Sequence, residues 1–276
     1  MAVKITTLIE NSPGEHHALK TEHGLSFCVE KDGRKILFDT GQSGAFLENA
    51  EQLRVDLSTV DYVVLSHGHY DHSGGLRALA ELTTGFELIM GQGFFAEKYG
   101  LRNNSYEYLG NNFDEKFLKE NQISYRFVTQ SLTEILPGVY VITDFPRVHA
   151  DEVINPRFKI RKNDTLEPDP FADEVLLAID TPQGLMVLLG CSHPGMKNML
   201  DAVVGLLGRP IYAVLGGTHL VEASHHSLGM SLDYLGADSL KVIGVSHCTG
   251  QAAMDQMAVS NERYFHNRTG SSLFVA

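Results

Sequence analysis

The residues best able to do chemistry in this chain are histidines, and they fall in clusters whose spacing suits metal ions. The densest cluster is His67-Gly68-His69-Tyr70-Asp71-His72-Ser73-Gly74-Gly75. There an i, i+2 histidine pair is followed at once by a carboxylate and another imidazole. Neutral imidazole nitrogen and carboxylate oxygen are donors that zinc and similar divalent cations accept, and four on one tight turn can grip an ion. The glycines let the backbone fold around it and enter the next helix. Apolar runs end in histidine repeatedly, as Leu65-Ser66-His67, Gly190-Cys191-Ser192-His193, Gly216-Gly217-Thr218-His219 and Val245-Ser246-His247. Side chains at the carboxyl ends of strands can converge on one edge of a layered fold. A solvated loop that happens to be histidine-rich gives no reason for four such groups between a β-rich run and a Gly-Gly helix start.

The elements that position these groups follow from apolar periodicity. Strands are expected at Val3–Glu10, Val60–Leu65, Phe86–Met90, Tyr125–Val128, Val139–Thr143, Ile211–Leu215, Val242–Val245 and Ser272–Val275. Hairpins are expected where Lys31-Asp32-Gly33-Arg34 joins Leu25–Glu30 to Lys35–Asp39, and where Thr181-Pro182-Gln183-Gly184 joins Val175–Ile179 to Leu185–Leu189. Helical spacing marks Phe46–Leu53, Leu76–Leu82, Phe113–Glu120, Met196–Leu207, His226–Leu235 and Ala252–Val259. Arg102–Asn112 reads as a polar connection. Arg147–Asp173, with Pro156, Pro168 and Pro170, reads as one long loop. Hairpins and strands followed by strand-helix alternation in each half predict an α/β (α+β) fold of two face-to-face sheets with helices outside, as a single domain over residues 1–276. Val63-Val64-Leu65-Ser66-His67 and Ile243-Gly244-Val245-Ser246-His247 form a weak internal echo.

A net charge of −12 opposes binding to nucleic acid or an anionic membrane, whose phosphates the average field would repel. Met1–Glu10 lacks the apolar core of a signal peptide, and no later run approaches the ~20 apolar residues needed to span a bilayer. Cys28, Cys191 and Cys248 cannot all pair within the chain, which suits a reducing compartment. The expectation is a cytoplasmic protein without nucleic-acid or membrane partners; a homo-oligomer is left open.

The stretch His67–His72 resembles the His-x-His-x-Asp-His signature of the metallo-β-lactamase superfamily. Within it the chain is similar to the group containing the dihydropterin ribofuranosyl-aminobenzene phosphate synthases. That likeness lies in Glu22-His23-Gly24-Leu25-Ser26, Leu37-Phe38-Asp39-Thr40-Gly41, Leu189-Gly190-Cys191-Ser192-His193, Leu215-Gly216-Gly217-Thr218-His219-Leu220 and Ser246-His247-Cys248-Thr249-Gly250, besides the signature. The resemblance implies a four-layer αββα sandwich with two metal ions at one edge. It implies His67 and His69 on one metal, with Asp71, His72 and His247 on the other. Cys191 and His193 sit where the superfamily has a bridging Asp or Cys. His193, on the turn beyond the strand, is favoured as a ligand, and Cys191 can pack as a small apolar side chain. No equivalent of the superfamily's middle histidine stands out. His149 lies in the right interval, but Pro146-Arg147-Val148-His149 does not match the motif.

Asp39 is expected either to accept a ligand histidine's other N–H or to cap its turn. His219 and His23 are expected on the substrate side. Arg147, in a cationic run with Arg157, Lys159, Arg161 and Lys162, could meet a substrate phosphate from the loop, although such runs are commonly just solvated. Two divalent ions would acidify a water from a pKa of 15.7 toward ~7, with Asp71 as a proton relay. Zinc suits the donors best, and iron or manganese would also be accepted. The expected function is a metal-dependent hydrolase or related transferase acting on a small anionic metabolite, phosphorylated or pterin-like. The alternatives are a di-iron redox or oxygen-sensing protein and a catalytically silent binding protein.

Overall fold

In the computed structural model, which describes residues 2–276, the alternation of side chains along each strand sets the layers. On the strand Tyr62–Leu65, Val64 enters one apolar cluster, and Val63 and Leu65 enter another on the opposite face. On Gly184–Leu189, Met186 and Leu188 join that first cluster, while Leu185, Val187 and Leu189 enter a third. Side chains of an extended chain point to opposite faces in turn, so each sheet is apolar on both. The shared cluster is a core between two sheets. Phe46, Leu76 and Leu79 of helices cover one outer face, and Met199, Leu200, Val203, Leu235, Met254 and Met257 cover the other. The result is the expected αββα sandwich.

The first sheet has seven strands, in the order Ser272–Val275, Val3–Ile9, Ser26–Lys31, Arg34–Phe38, Tyr62–Leu65, Glu87–Gly91 and Ser124–Val128. The second has six: Val242–Ser246, Ile211–Gly217, Gly184–Leu189, Leu176–Thr181, Val139–Ile142 and Leu132–Leu136. Each contains an antiparallel hairpin followed by parallel strands. Parallel neighbours send their carboxyl ends the same way. Asp39, His67, Cys191, His219 and His247 all follow such strands, so the topology delivers them to one edge.

Two expected loops contain strands. Arg102–Asn112 includes part of the hairpin formed by Lys98–Arg102 and Ser105–Tyr108. Arg147–Asp173, expected as one long loop, contains the hairpin Phe158–Lys162 and Thr165–Pro168. The two hairpins join as a small four-stranded sheet. Its strands are short and largely exposed, so their residues carry little apolar alternation. Ion pairs such as Lys162 with Glu167, at 3.0 Å, decorate the surface. The legible signal was the turn Asn103-Asn104, where both residues have positive φ as a two-residue type I′ hairpin requires. No helix among the described residues is long and apolar enough to cross a membrane.

Leu177 lies fully buried between the two sheets. Leu177→Ala should lower the unfolding free energy by about 2–5 kcal/mol in chemical denaturation. Val259→Ala, at a position 91% exposed on the last helix, should change it by less than about 0.5 kcal/mol.

Candidate metal centre

Two sets of donors stand side by side at the strand-end edge. His67, His69 and His193 bring ligand atoms within 4.8 Å of one another, and so do His67, His72 and Cys191. His67 Nε2 lies 3.1 Å from His69 Nδ1. His72 Nε2 lies 3.2 Å from both Cys191 Sγ and His247 Nε2. Asp71 Oδ2 is 3.4 Å from His247 Nε2 and 3.2 Å from His23 Nε2. His67 therefore belongs to both sets, and Cys191 lies within reach of His67 as well as of His72 and His247. His193 completes the trio with His67 and His69, the place for which the sequence offered only His149. His149 is elsewhere, 2.7 Å from Asp201.

The turns carrying these groups are held through their backbone. Asp39, Ser192, His219 and His247, each at or beyond a strand end, adopt positive φ of 59°, 62°, 51° and 54°. Left-handed backbone is costly for residues other than glycine and needs surrounding support. Buried carboxylates provide much of it. Asp39 accepts the Ser66 N–H at 2.7 Å, and Asp173 the Gly68 N–H at 2.8 Å. Glu174 accepts those of Ser192 and His193 at 2.6 and 3.1 Å, and Glu10 that of His247 at 2.7 Å. Asp39 also takes the Ser66 hydroxyl at 2.7 Å and lies 2.6 Å from His72 Nδ1, so it orients that ring. Asn11 Oδ1 faces His247 Nδ1 at 2.9 Å. Glu10, Asn11, Ser66, Asp173 and Glu174 were not found from the sequence, because no spacing rule links them to the histidines they hold.

Burial and mutual repulsion keep His67 and His193 well below the usual histidine pKa. Burial and Lys98 do the same for His69, and burial brings His247 down to about 4. These rings are neutral at pH 7, with lone pairs free to bind a cation. His72 differs: burial works to lower it, but Asp39 and Asp71 outweigh this and lift it to about 9. The same field that holds a proton there favours a metal ion. His69 Nε2 and His193 Nε2 are buried without a hydrogen-bond partner, a state that costs roughly 1–3 kcal/mol per group. Unpartnered neutral imidazoles beside carboxylate and sulfur fit a pair of divalent cations.

The centre opens into a cavity of about 930 Å³. His219 lines it, its ring 4.4 Å from that of His193, and His23 stands at the rim stacked on His247 at 5.1 Å. The small sheet lines the cavity with Arg102, Tyr108 and Phe158, and Arg157 adjoins it in the turn before Phe158. Phe158 packs on His69 and His193, and Phe171 stacks on His193 at 3.8 Å. Arg147 is not part of this cavity. Its guanidinium donates to the Pro170 carbonyl at 2.9 Å and borders a separate depression, whereas Arg157 and Arg102 line the cavity beside the centre. Asp71 stays ionised, since the charge on His72 and hydrogen bonds from His23 and His247 outweigh its burial. Its charged oxygens are available to a cation.

Residues 20–110 match the profile of the metallo-beta-lactamase superfamily. The chain is 30% identical over 264 residues to the 7,8-dihydropterin-6-methyl-4-(beta-D-ribofuranosyl)-aminobenzene-5'-phosphate synthase of Methanocaldococcus jannaschii, covering 90% of this chain and 88% of that protein. An uncharacterised protein of the same organism is 29% identical over 93% of this chain and 94% of its own. Among solved structures, a metal-dependent hydrolase of the beta-lactamase superfamily aligns over 99% of both chains, with a TM-score of 0.86 and 28% identity.

His193→Ala should lower bound metal, read by elemental analysis after reconstitution, whereas His149→Ala should keep the wild-type content. Equal metal in both variants would show that the trio around His67 is not a metal site.

Proposed function

We propose that this chain, which belongs to the metallo-beta-lactamase superfamily, is a metal-dependent enzyme that hydrolyses, or transfers a group from, a small phosphorylated metabolite. The observation carrying this reading is the pair of donor sets joined at His67 on the floor of a cavity roofed by arginines. His67, His69 and His193 would hold one cation, and Asp71, His72 and His247 the other, with Cys191 reaching both. Such a pair supplies Lewis acidity that polarises the attacked bond and acidifies water. Zinc is the first choice for these donors.

The protein's own residues do the rest. Asp39 and Asn11 fix the rings of His72 and His247 from behind, at Nδ1 in each case. Arg157, paired with Glu222 at 2.6 Å and lying over the Phe158 ring at 4.0 Å, and Arg102 give the acidic chain local positive charge for an anionic group. His219 is lowered by burial and neutral at pH 7. From the cavity wall it can accept a proton or a hydrogen bond from the substrate. Phe158 and Tyr108 offer apolar surface to a ring. The name of the M. jannaschii relative includes a dihydropterin and a sugar phosphate, which accords with a ring-bearing phosphorylated substrate.

Metal-depleted protein should be inactive on a panel of phosphoesters and esters, and zinc should restore turnover. Arg157→Ala should raise KM for phosphorylated members roughly tenfold or more, the loss expected for a charge-assisted hydrogen bond, and leave neutral esters unaffected. A redox-active iron pair without hydrolytic turnover would replace this reading with a di-iron redox function. Stoichiometric metal without turnover on any substrate would favour a binding role.

A further inference from the structure

Cys248 has no part in the donor sets assigned above, yet its sulfur faces the same cavity. Its Sγ, Cys191 Sγ and a His247 ring nitrogen all lie within 4.8 Å of one another. Two sulfurs bound to one tetrahedral zinc, at bonds of ~2.3 Å, sit roughly 3.8 Å apart, inside that limit.

The surroundings are shaped for the sulfur. His247, at φ 54°, starts the 3₁₀ turn His247–Thr249, and this turn carries Cys248 beside Cys191. The His219 backbone N–H points at Cys248 Sγ over 3.3 Å and holds the sulfur in place. Gly217 leaves the necessary space, since a Cβ there would come within 2.5 Å of the sulfur. The Cys248 thiol also reaches the Cys191 carbonyl at 3.5 Å, a weak contact that it can exchange for a stronger bond.

We propose that Cys248 is a second sulfur donor, joining Cys191 and His247 around the cation on the Asp71 side, so that the centre favours thiophilic ions such as zinc or ferrous iron over manganese or magnesium. The assignment rests on the proposed pair of cations. On binding, the Cys248 S–H bond breaks, the proton leaves to solvent and a sulfur–metal bond forms, with no change of oxidation state.

Cobalt(II) added to the metal-depleted full-length protein reports thiolate ligands through near-ultraviolet charge-transfer absorption. Cys248→Ser should lower that band to about two-thirds of wild type, with three sulfur–cobalt bonds reduced to the two of Cys191, and the Cys191→Ser, Cys248→Ser double variant should lose it. Alkylation of the wild-type protein by iodoacetamide, read by mass spectrometry, needs no variant. Cys248 should be modified when metal-free and protected by zinc, while the fully buried Cys28 serves as internal reference. Cobalt uptake with an unchanged band in Cys248→Ser, or zinc binding that leaves Cys248 equally reactive, would overturn this assignment alone. A wild-type protein that takes up neither ion overturns it together with the proposed metal centre.

Discussion

The centre depends on buried carboxylates gripping backbone amides. Asp39, Asp173, Glu174 and Glu10 reach across the fold to N–H groups of the turns that carry the histidines and Cys191. Bonds of this kind in a dry interior are among the stronger hydrogen bonds available, at roughly 1.5–3 kcal/mol each. They support left-handed backbone that would otherwise relax and turn the rings away from one another. Asp39 and Asp71 place negative potential around the donors. Glu174 shows how far solvent is excluded, since burial and neighbouring Asp173 push it to about 8 despite two donated amides. A bound cation would compensate a buried cage of this kind, which ties ion binding to the stability of the strand ends.

The layering that brings the turns together was largely legible. Apolar runs ending in histidine marked the strand ends, and doubly apolar strands marked sheets covered on both faces. The cluster from His67 to His72 was readable because its donors are adjacent in sequence. His193 was expected as a ligand but set in the bridging place, since the sequence cannot show which way a turn directs two residues standing two apart. Ser192 settles that direction: its left-handed backbone sends Cys191 toward His72 and His193 toward His69.

What escaped the sequence was long-range or weakly patterned. Glu10 acts on His247 across 237 positions, and Asp173 on Gly68 across 105. A single chain carries no periodic signal for such partners. The small sheet was missed because its strands bury few side chains and so lack the alternation by which strands are recognised. Arg147 was singled out as part of a cationic run, but charge density along a chain says nothing about direction. Arg157, ten residues on and just before the strand Phe158–Lys162, is the one that borders the cavity.

That small sheet has its own significance. It is assembled from one hairpin of each half of the chain and is fastened from below, where the Lys98 ammonium is held by Asp169 at 2.7 Å and Asp173 at 2.8 Å. The groups suited to ions are rooted in the large sheets, whereas Arg102, Tyr108 and Phe158 of the cavity wall belong to these two hairpins. Under the proposed function, selectivity and reactivity thus reside in separable parts of the architecture. On that reading, a change of hairpin sequence or length would alter what is admitted while the apparatus beneath stays unaltered.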